Sequence, residues 1–419
     1  MSMLDMLSDP DVWEQFYEYR TTLISQNGFP AQLRAFIDRK GYLPVCERIR
    51  SGAPFPLPKK AVISKLSTKK QRTVYTYPQE ENTVLKLLTY LLLRKYDCLF
   101  SPNLYSFRPA RNAKDAIRFL TGVRGLREMY AYKVDISNYF NSVPVERFLP
   151  MLEEATADDP ALYHFLSSLL REPQVLDGGL PVTEEKGIMA GTPLASFYAN
   201  LYLRALDRMF FERRVPYARY SDDIILFAPT AEQVQGYAAE LRAFLAEQGL
   251  SVNPAKECFT APEQPWVFLG FCCCGGKIDI APVSVIKLKH KMRRKARALQ
   301  RWRQRKNVSG EQAAAAFIRI FNRKLLESAP ASGSELTWSC WFFPVLTTVE
   351  SLHTVDLYAQ DCLRWLISGT HTKARYNVRY ADLKRLGYRS LVHAYYSFAE
   401  AEQQTASDDR NIKEETGDS

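Results

Sequence analysis

The segment RYSDDIILFAP sets two adjacent carboxylates, Asp222 and Asp223, between aromatic and apolar flanks. That is an unusual place for charge, because such flanks are normally buried. A turn between two short strands would hold the pair at a hairpin tip, in reach of a divalent cation while the flanks stay covered. Alone, the pair also fits an ordinary acidic turn. A third carboxylate adds to it: in AYKVDISNYFNSVP, Asp135 closes a strand-like run and stands 87 residues before Asp222. That distance is ample for a helical crossover that returns to lay the two strands side by side. Carboxylates on adjacent strands can hold two Mg2+ ions about 3.5 to 4 Å apart, one activating a 3′-hydroxyl and one stabilising a leaving pyrophosphate, as nucleotidyl transfer requires.

The elements that must position these groups read as an α+β chain. Short apolar strands alternate with helices from Tyr130 to Phe271, a pattern of mixed layers. Residues 1 to about 50 have helical spacing through Val12, Trp13, Phe16 and Tyr17, with Asp9 or Asp11 as caps around Pro10. SGAPFPLPKK, with prolines at 54, 56 and 58, reads as an extended connector. AVISKLSTKKQRTVYTYP reads as a β-hairpin carrying Lys65, Lys69, Lys70 and Arg72. Helical spacing resumes from Val84, and residues 281–400 are mainly helical. Residues 401–419 hold six acidic and two basic side chains and no aromatic, which predicts a disordered tail.

Charge points to a polyanionic partner. The chain of 419 residues carries 56 Lys plus Arg against 46 Asp plus Glu, a net charge of +10, and the excess is concentrated. Lys287 to Lys306 holds eleven Lys or Arg and no Asp or Glu. Val285, Leu288, Met292, Ala296, Leu299 and Trp302 recur through it at helical steps, so it reads as an amphipathic helix with one buried stripe and a basic outer face. Arg294, Arg297, Arg301 and Arg305 lie on that face. The alternative is a plain solvated face, although such faces usually mix charge signs.

The composition, 46% hydrophobic and 24% charged, excludes a mostly disordered, collagenous or coiled-coil protein. Val84 to Leu93 is the most apolar stretch, ten residues including Lys86, too short to span a bilayer. The acidic N-terminus does not read as a signal peptide, so a cytoplasmic protein is expected. Eight cysteines form no CxxC pair. They read as free thiols, and the run Cys272 to Cys274 reads as strand or turn packing rather than a metal site.

In motif order, residues 60 to 275 resemble the reverse transcriptases. QRTVYTYP and SPNLYSFRPARNAKDAI resemble the first two blocks, and KVDISNYFNSV the block with the first aspartate. GIMAGTPLASFYANLYL resembles the block lining the nascent pair, YSDD follows, and GLSVNPAKECF with FLGF resemble the last palm blocks. Several ordered blocks carry far less false-positive risk than one. The resemblance implies a right-hand fold with an N-terminal helical extension and connector (1–60), fingers and palm (61–280), a helical thumb (281–400) and the acidic tail (401–419).

It also implies roles. Asp135 and Asp222 become ligands of two Mg2+ ions, with Mn2+ as the alternative, and Asp223 the supporting carboxylate. Lys65 and Arg72 face the triphosphate, as charge-assisted hydrogen bonds would favour. Lys256 lies near the leaving pyrophosphate as a proton donor; a plain surface lysine is the alternative. Phe140 stands against the sugar's 2′ carbon, leaving no room for a 2′-hydroxyl and selecting dNTPs, with a core aromatic as the alternative. Gly191 belongs to the nucleotide-binding block, which here reads Met189, Ala190, Gly191 where many relatives have Pro-Gln-Gly.

That departure, the absence of a Val-Thr-Gly after FLGF and the absence of CxxC-bearing or RNase H segments narrow the resemblance. It is closest to the defence-associated reverse transcriptases of the group II intron-like bacterial lineage, some of which copy a noncoding RNA during phage defence. The expected activity is RNA-directed DNA synthesis, with an RNA template and RNA–DNA hybrid as partners. RNA-directed RNA synthesis and a maturase-like RNA-binding protein with an inactive palm are the competing readings.

Overall fold

The computed structural model describes residues 2–22, 29–64, 71–327 and 337–416. Lys65, Lys69 and Lys70 lie outside the described residues. The chain divides into two units, Met1–Leu269 and Gly270–Ser419. Strands of the first are β1 (Lys59–Ser64), β2 (Gln71–Thr76), β3 (Tyr130–Asp135), β4 (Gln174–Asp177), β5 (Leu180–Thr183), β6 (Tyr217–Tyr220), β7 (Asp223–Ala228), β8 (Cys258–Thr260) and β9 (Trp266–Phe268). Those of the second are β10 (Phe271–Cys274) and β11 (Lys277–Ile280).

The alternating segment builds an antiparallel sheet in the order β6-β7-β3-β8. The run Ile224–Ala228 is buried throughout, as a strand with neighbours on both sides and cover on both faces requires. Tyr132 and Val134 of β3 are buried beside it, and helix Ala231–Glu247 packs on both strands. That helix starts where the Thr230 hydroxyl accepts the Gln233 N–H, a standard N-cap. Each buried Ile or Leu is worth about 1.5–3 kcal/mol. The register of β7 against β3 pairs Asp135 with Asp223.

A second sheet has the order β2-β1-β4-β5. Its β1–β2 hairpin is antiparallel and β1 meets β4 in parallel. The β4–β5 turn is Gly178–Gly179, with φ of +59° and +92°, conformations open to glycine in two-residue hairpins.

The N-terminal segment packs into the first unit. Its helices Met3–Met6, Pro10–Thr22, Phe29–Asp38 and Leu43–Arg50 belong to the first unit's core. Trp13 is fully buried, donates to the Leu7 carbonyl at 2.8 Å and stacks on Tyr42. Buried Asp159 accepts from the Ser2 hydroxyl (2.7 Å) and the Met3 N–H (2.6 Å). The helix expected from Val84 starts earlier, at Gln79, and runs to Lys95. Glu80 and Glu81 in its first turn and Arg94 and Lys95 in its last complement the helix dipole, a polar start that apolar spacing misses.

In the second unit the basic helix is Pro282–Lys306, packed on helices Gly310–Leu325 and Glu350–Ser368. Val285, Met292, Ala296 and Leu299 are buried as the stripe predicted, but Leu288 is half-buried and Trp302 is exposed. Instead Arg303 closes that end, donating to the Leu366 carbonyl at 3.0 Å. A C-terminal carbonyl without an intrahelical partner takes a guanidinium in preference to an indole ring.

Strands β10 and β11 belong to the second unit, which starts at Gly270. Helix Leu391–Thr416 continues through most of the segment expected to be a disordered tail. Asp356 anchors its start by accepting the Leu391 and Val392 N–H groups. Propagation from a fixed first turn is cheap for a run rich in Ala, Glu and Gln. Among the described residues, no helix is long and apolar enough to cross a membrane.

Candidate active site

The sheet brings the three carboxylates to one end. Asp135 is the last residue of β3 and Asp223 the first of its antiparallel neighbour β7, directly opposite each other. Asp222 sits in the two-residue turn from β6 to β7, and its carbonyl accepts the Ile136 N–H at 3.0 Å. One ligand oxygen from each carboxylate lies within 4.8 Å of the others, and among the described residues this is the only such group of three metal-ligating side chains. Cys272–Cys274 lie along β10, with Cys273 buried, Cys272 half-buried and Cys274 exposed.

The electrostatics are those of crowded anions. Burial, then the neighbouring Asp135, pushes the Asp222 carboxyl up from its usual range. Burial raises Asp223 to about 6, against the pull of Lys133, with Asp222 and Asp135 adding to the rise. Lys133 Nζ lies 3.9 Å from Asp223 Oδ1. Lys256 Nζ forms an ion pair with Asp135 Oδ2. Its backbone is set by a short turn, Pro254–Lys256, in which the Asn253 side chain accepts from Ala255 while the Asn253 N–H donates to the Asp135 carbonyl. An all-oxygen cluster whose members repel one another fits a hard divalent cation, which would offset both burial and repulsion.

Arg72, on β2, is exposed, with its guanidinium 5.8 Å from the centroid of the Phe140 ring. Phe140 is partly buried and packs against Tyr139. Gly191 has φ of +99°, and a Cβ there would stand 3.0 Å from the Tyr75 carbonyl oxygen, so only glycine fits where this loop meets β2.

Asn141 and Gly187 were not singled out from the sequence. Asn141 ties three segments together: its Nδ2 donates to the Thr73 carbonyl at 3.2 Å and its Oδ1 accepts the Ala190 N–H at 2.9 Å. The Tyr75 N–H donates to the Ala190 carbonyl at 2.8 Å. At Gly187, φ is +54° and a Cβ would lie 2.5 Å from the Phe140 carbonyl oxygen. A second glycine four residues before Gly191 was the available signal. Lys133 could have been found from its place two residues before Asp135, on the same face of the strand.

The structure therefore gathers Asp135, Asp222, Asp223 and Lys256 in one cluster and places Arg72, Phe140 and Gly191 around β2. Lys65 lies outside the described residues. In the second unit, described by itself, Arg294, Arg297, Arg301 and Arg305 are all exposed on the basic helix.

An antiparallel sheet with three carboxylates at one end, flanked by cations and an aromatic ring, is the layout of a nucleic-acid polymerase. The chain belongs to the reverse transcriptase (RNA-dependent DNA polymerase) family, whose profile matches residues 57–273, just over half its length. Its fold is the right-hand polymerase fold expected of that family. No curated protein matches it in sequence. Similar solved structures include apo telomerase from Candida tropicalis truncated from its C-terminal domain (TM-score 0.44, 12% identity, 54% of this chain and 55% of that one). Others are telomerase from Candida albicans in complex with a telomeric RNA fragment (0.43, 11%, 80% and 67%) and the RNA polymerase complex inside a dsRNA virus (0.42, 14%, 55% and 22%). The chain spans about half the length of the first of these.

Proposed function

We propose that the protein copies RNA into DNA by nucleotidyl transfer at the Asp135–Asp222–Asp223 cluster. The observation that carries this reading is the meeting of those carboxylates on paired strands within a chain of the reverse transcriptase family. Asp135 and Asp222 would hold two Mg2+ ions, or Mn2+, with Asp223 in support. Bound there, the ions would supply Lewis-acid stabilisation of the attacking and departing oxygens.

The chain's own residues do the rest. Arg72 clamps the triphosphate by charge-assisted hydrogen bonds, together with Lys65. Phe140 occupies the space a 2′-hydroxyl would need, so the substrate is a dNTP and RNA synthesis is disfavoured. Lys256, half-exposed and held by Asp135, is placed to give a proton to the departing pyrophosphate. The first unit acts as fingers and palm, and the second as a thumb whose Arg294, Arg297, Arg301 and Arg305 grip the phosphates of the RNA–DNA hybrid without reading bases.

The template we infer is a dedicated noncoding RNA, copied in antiviral defence in the cytoplasm. What supports it is the Met189-Ala190-Gly191 departure from the common motif, and sequencing the RNA that copurifies with the protein tests it. Polymerisation itself is tested by Asp222→Asn on a primed RNA template with dNTPs or rNTPs. The variant should bind hybrid as the wild type does and incorporate nothing, because a ligand carboxylate worth several kcal/mol of metal-borne charge stabilisation is gone. Wild-type rates from this variant at saturating Mg2+ would remove Asp222 from the mechanism.

A further inference from the structure

Behind the carboxylate turn lies a closed ring of buried polar groups. Asp207 and Arg219 form a bidentate ion pair, Nε to Oδ1 at 2.8 Å and Nη2 to Oδ2 at 2.5 Å, with both side chains 0% exposed. Tyr217 O–H adds a bond to Asp207 Oδ1 at 2.9 Å. Two more guanidinium hydrogens point at main chain: Nη1 donates to the Ser221 carbonyl and Nη2 to the Asn200 carbonyl, each at 3.3 Å. From the other side, the Ser221 N–H donates to Ser106 Oγ at 2.8 Å, and Ser106 Oγ donates to Asn200 Oδ1 at 3.2 Å. Asn200 Nδ2 returns a bond to the Ser106 carbonyl at 2.9 Å. Ser106, Asn200, Asp207 and Arg219 are all fully buried.

Ser221 is thus held at both its N–H and its C=O, and it immediately precedes Asp222. It needs holding: its φ is +59°, a left-handed conformation that costs a residue with a Cβ about 1–2 kcal/mol. A plain stabilising role does not account for the arrangement. A buried ion pair is weak as a source of stability, since hydrophobic replacement is often neutral or better. Here one guanidinium donor, at the carbonyl, and one hydroxyl acceptor, at the N–H, converge on the single residue that sets the tip of the metal-binding turn.

We propose that Arg219, oriented by Asp207, and Ser106, oriented by Asn200, are positioning residues that lock Ser221 in its left-handed conformation and so aim the Asp222 carboxylate at the metal site. The inference rests on the reading of that site as a divalent-metal centre for polymerisation. Outer-shell partners of metal ligands typically carry about 10- to 100-fold in metal affinity or activity, and the clamp reaches Asp222 only through the backbone, so the low end of that range applies.

The test uses the full chain with Ser106→Ala, Ser106→Thr and Arg219→Lys. Mn2+ binding is titrated directly by electron paramagnetic resonance, alongside thermal melting, hybrid binding and dNTP incorporation as a function of Mg2+. Ser106→Ala and Arg219→Lys should each weaken Mn2+ binding and raise the half-saturating Mg2+ by about tenfold, with hybrid affinity unchanged. Ser106→Thr, which keeps the hydroxyl, should restore both. If Arg219→Lys fails to fold, the serine pair carries the test alone. A Ser106→Ala variant that binds Mn2+ as the wild type does, whether or not its melting temperature falls, overturns the proposal. A wild type that binds Mn2+ but incorporates no nucleotide would defeat the polymerase reading, while the Mn2+ titrations would still decide the clamp.

Discussion

Replacing Gly187 with alanine should separate the cost of backbone conformation from the cost of close approach. At Gly187, φ is +54° and an added Cβ would meet Phe140 O at 2.5 Å, Asn141 C at 2.7 Å and Asn141 Cα at 2.8 Å. All three are backbone atoms, so no side chain can swing aside. The left-handed conformation costs alanine about 1–2 kcal/mol, and forcing the two backbones apart adds about 1–3 kcal/mol of overpacking. Gly178 is the internal control, with φ of +59° and nothing within 4 Å of the added atom. Gly178→Ala should therefore lose only the conformational part, about 1–2 kcal/mol. Urea unfolding followed by circular dichroism measures both variants, at equal m-values.

The functional consequence is specific to Gly187. Its neighbour Ile188 donates to the Phe140 carbonyl at 2.8 Å, and Ala190 donates to Asn141 Oδ1 at 2.9 Å. Pushing the 187–191 loop away moves the Phe140 ring and the sugar filter we assign to it. The ratio of kcat/KM for dNTP over rNTP should fall about tenfold or more in Gly187→Ala, given that displacements near 1 Å can cost about 100-fold. It should not change in Gly178→Ala. Equal destabilisation of the two variants, with sugar discrimination intact in both, would refute the claim that this approach sets the position of Phe140.

Three further outcomes are expected. Phe140→Val should lower dNTP over rNTP discrimination at least about tenfold, or roughly 1.4 kcal/mol. It should also raise the KM for dNTP by a few fold, because Arg72 loses a cation–π contact worth about 0.5–1 kcal/mol; steady-state kinetics with both nucleotides checks this. Asp223, raised to about 6 with Asp222, Asp135 and Lys133 around it, sets the sign of a pH effect. Its folded pKa lies above the unfolded value, so in the metal-free protein its contribution to stability is present at low pH and is lost as pH rises through about 6. A divalent ion reverses this by competing with the proton, so the melting-temperature rise produced by Mn2+ should be large at pH 7.5 and small at pH 5.5. Finally, replacing Arg294, Arg297, Arg301 and Arg305 together with Gln should reduce the magnitude of the salt slope of hybrid binding by about 0.7 to 0.9 per lost phosphate contact and shorten products. An unchanged slope in filter binding would make the helix a solvated face only.

What could be read in advance follows the range of the forces involved. That the strands bearing Asp135 and the Asp222–Asp223 pair lie side by side was legible because each is a local strand-like run with the carboxylate at its end. The basic face was legible because helical spacing is a local property, and it failed where it met another element: Trp302 yields to Arg303 because the Leu366 carbonyl, distant in sequence, needs a donor. The helix that ends at Thr416 could not be read from composition, since its first turn is held by Asp356, on another helix. The same holds in the site. Asn141, Gly187 and Ser106 act through partners 46 to 115 residues away, and Arg219 acts on Ser221, two residues on, across a left-handed bend; no spacing rule points to such partners. A carboxylate that must bind metal is visible as charge among apolar flanks. The groups that aim it are buried and mutually satisfied, and so they look like any other polar residue until the chain closes on itself.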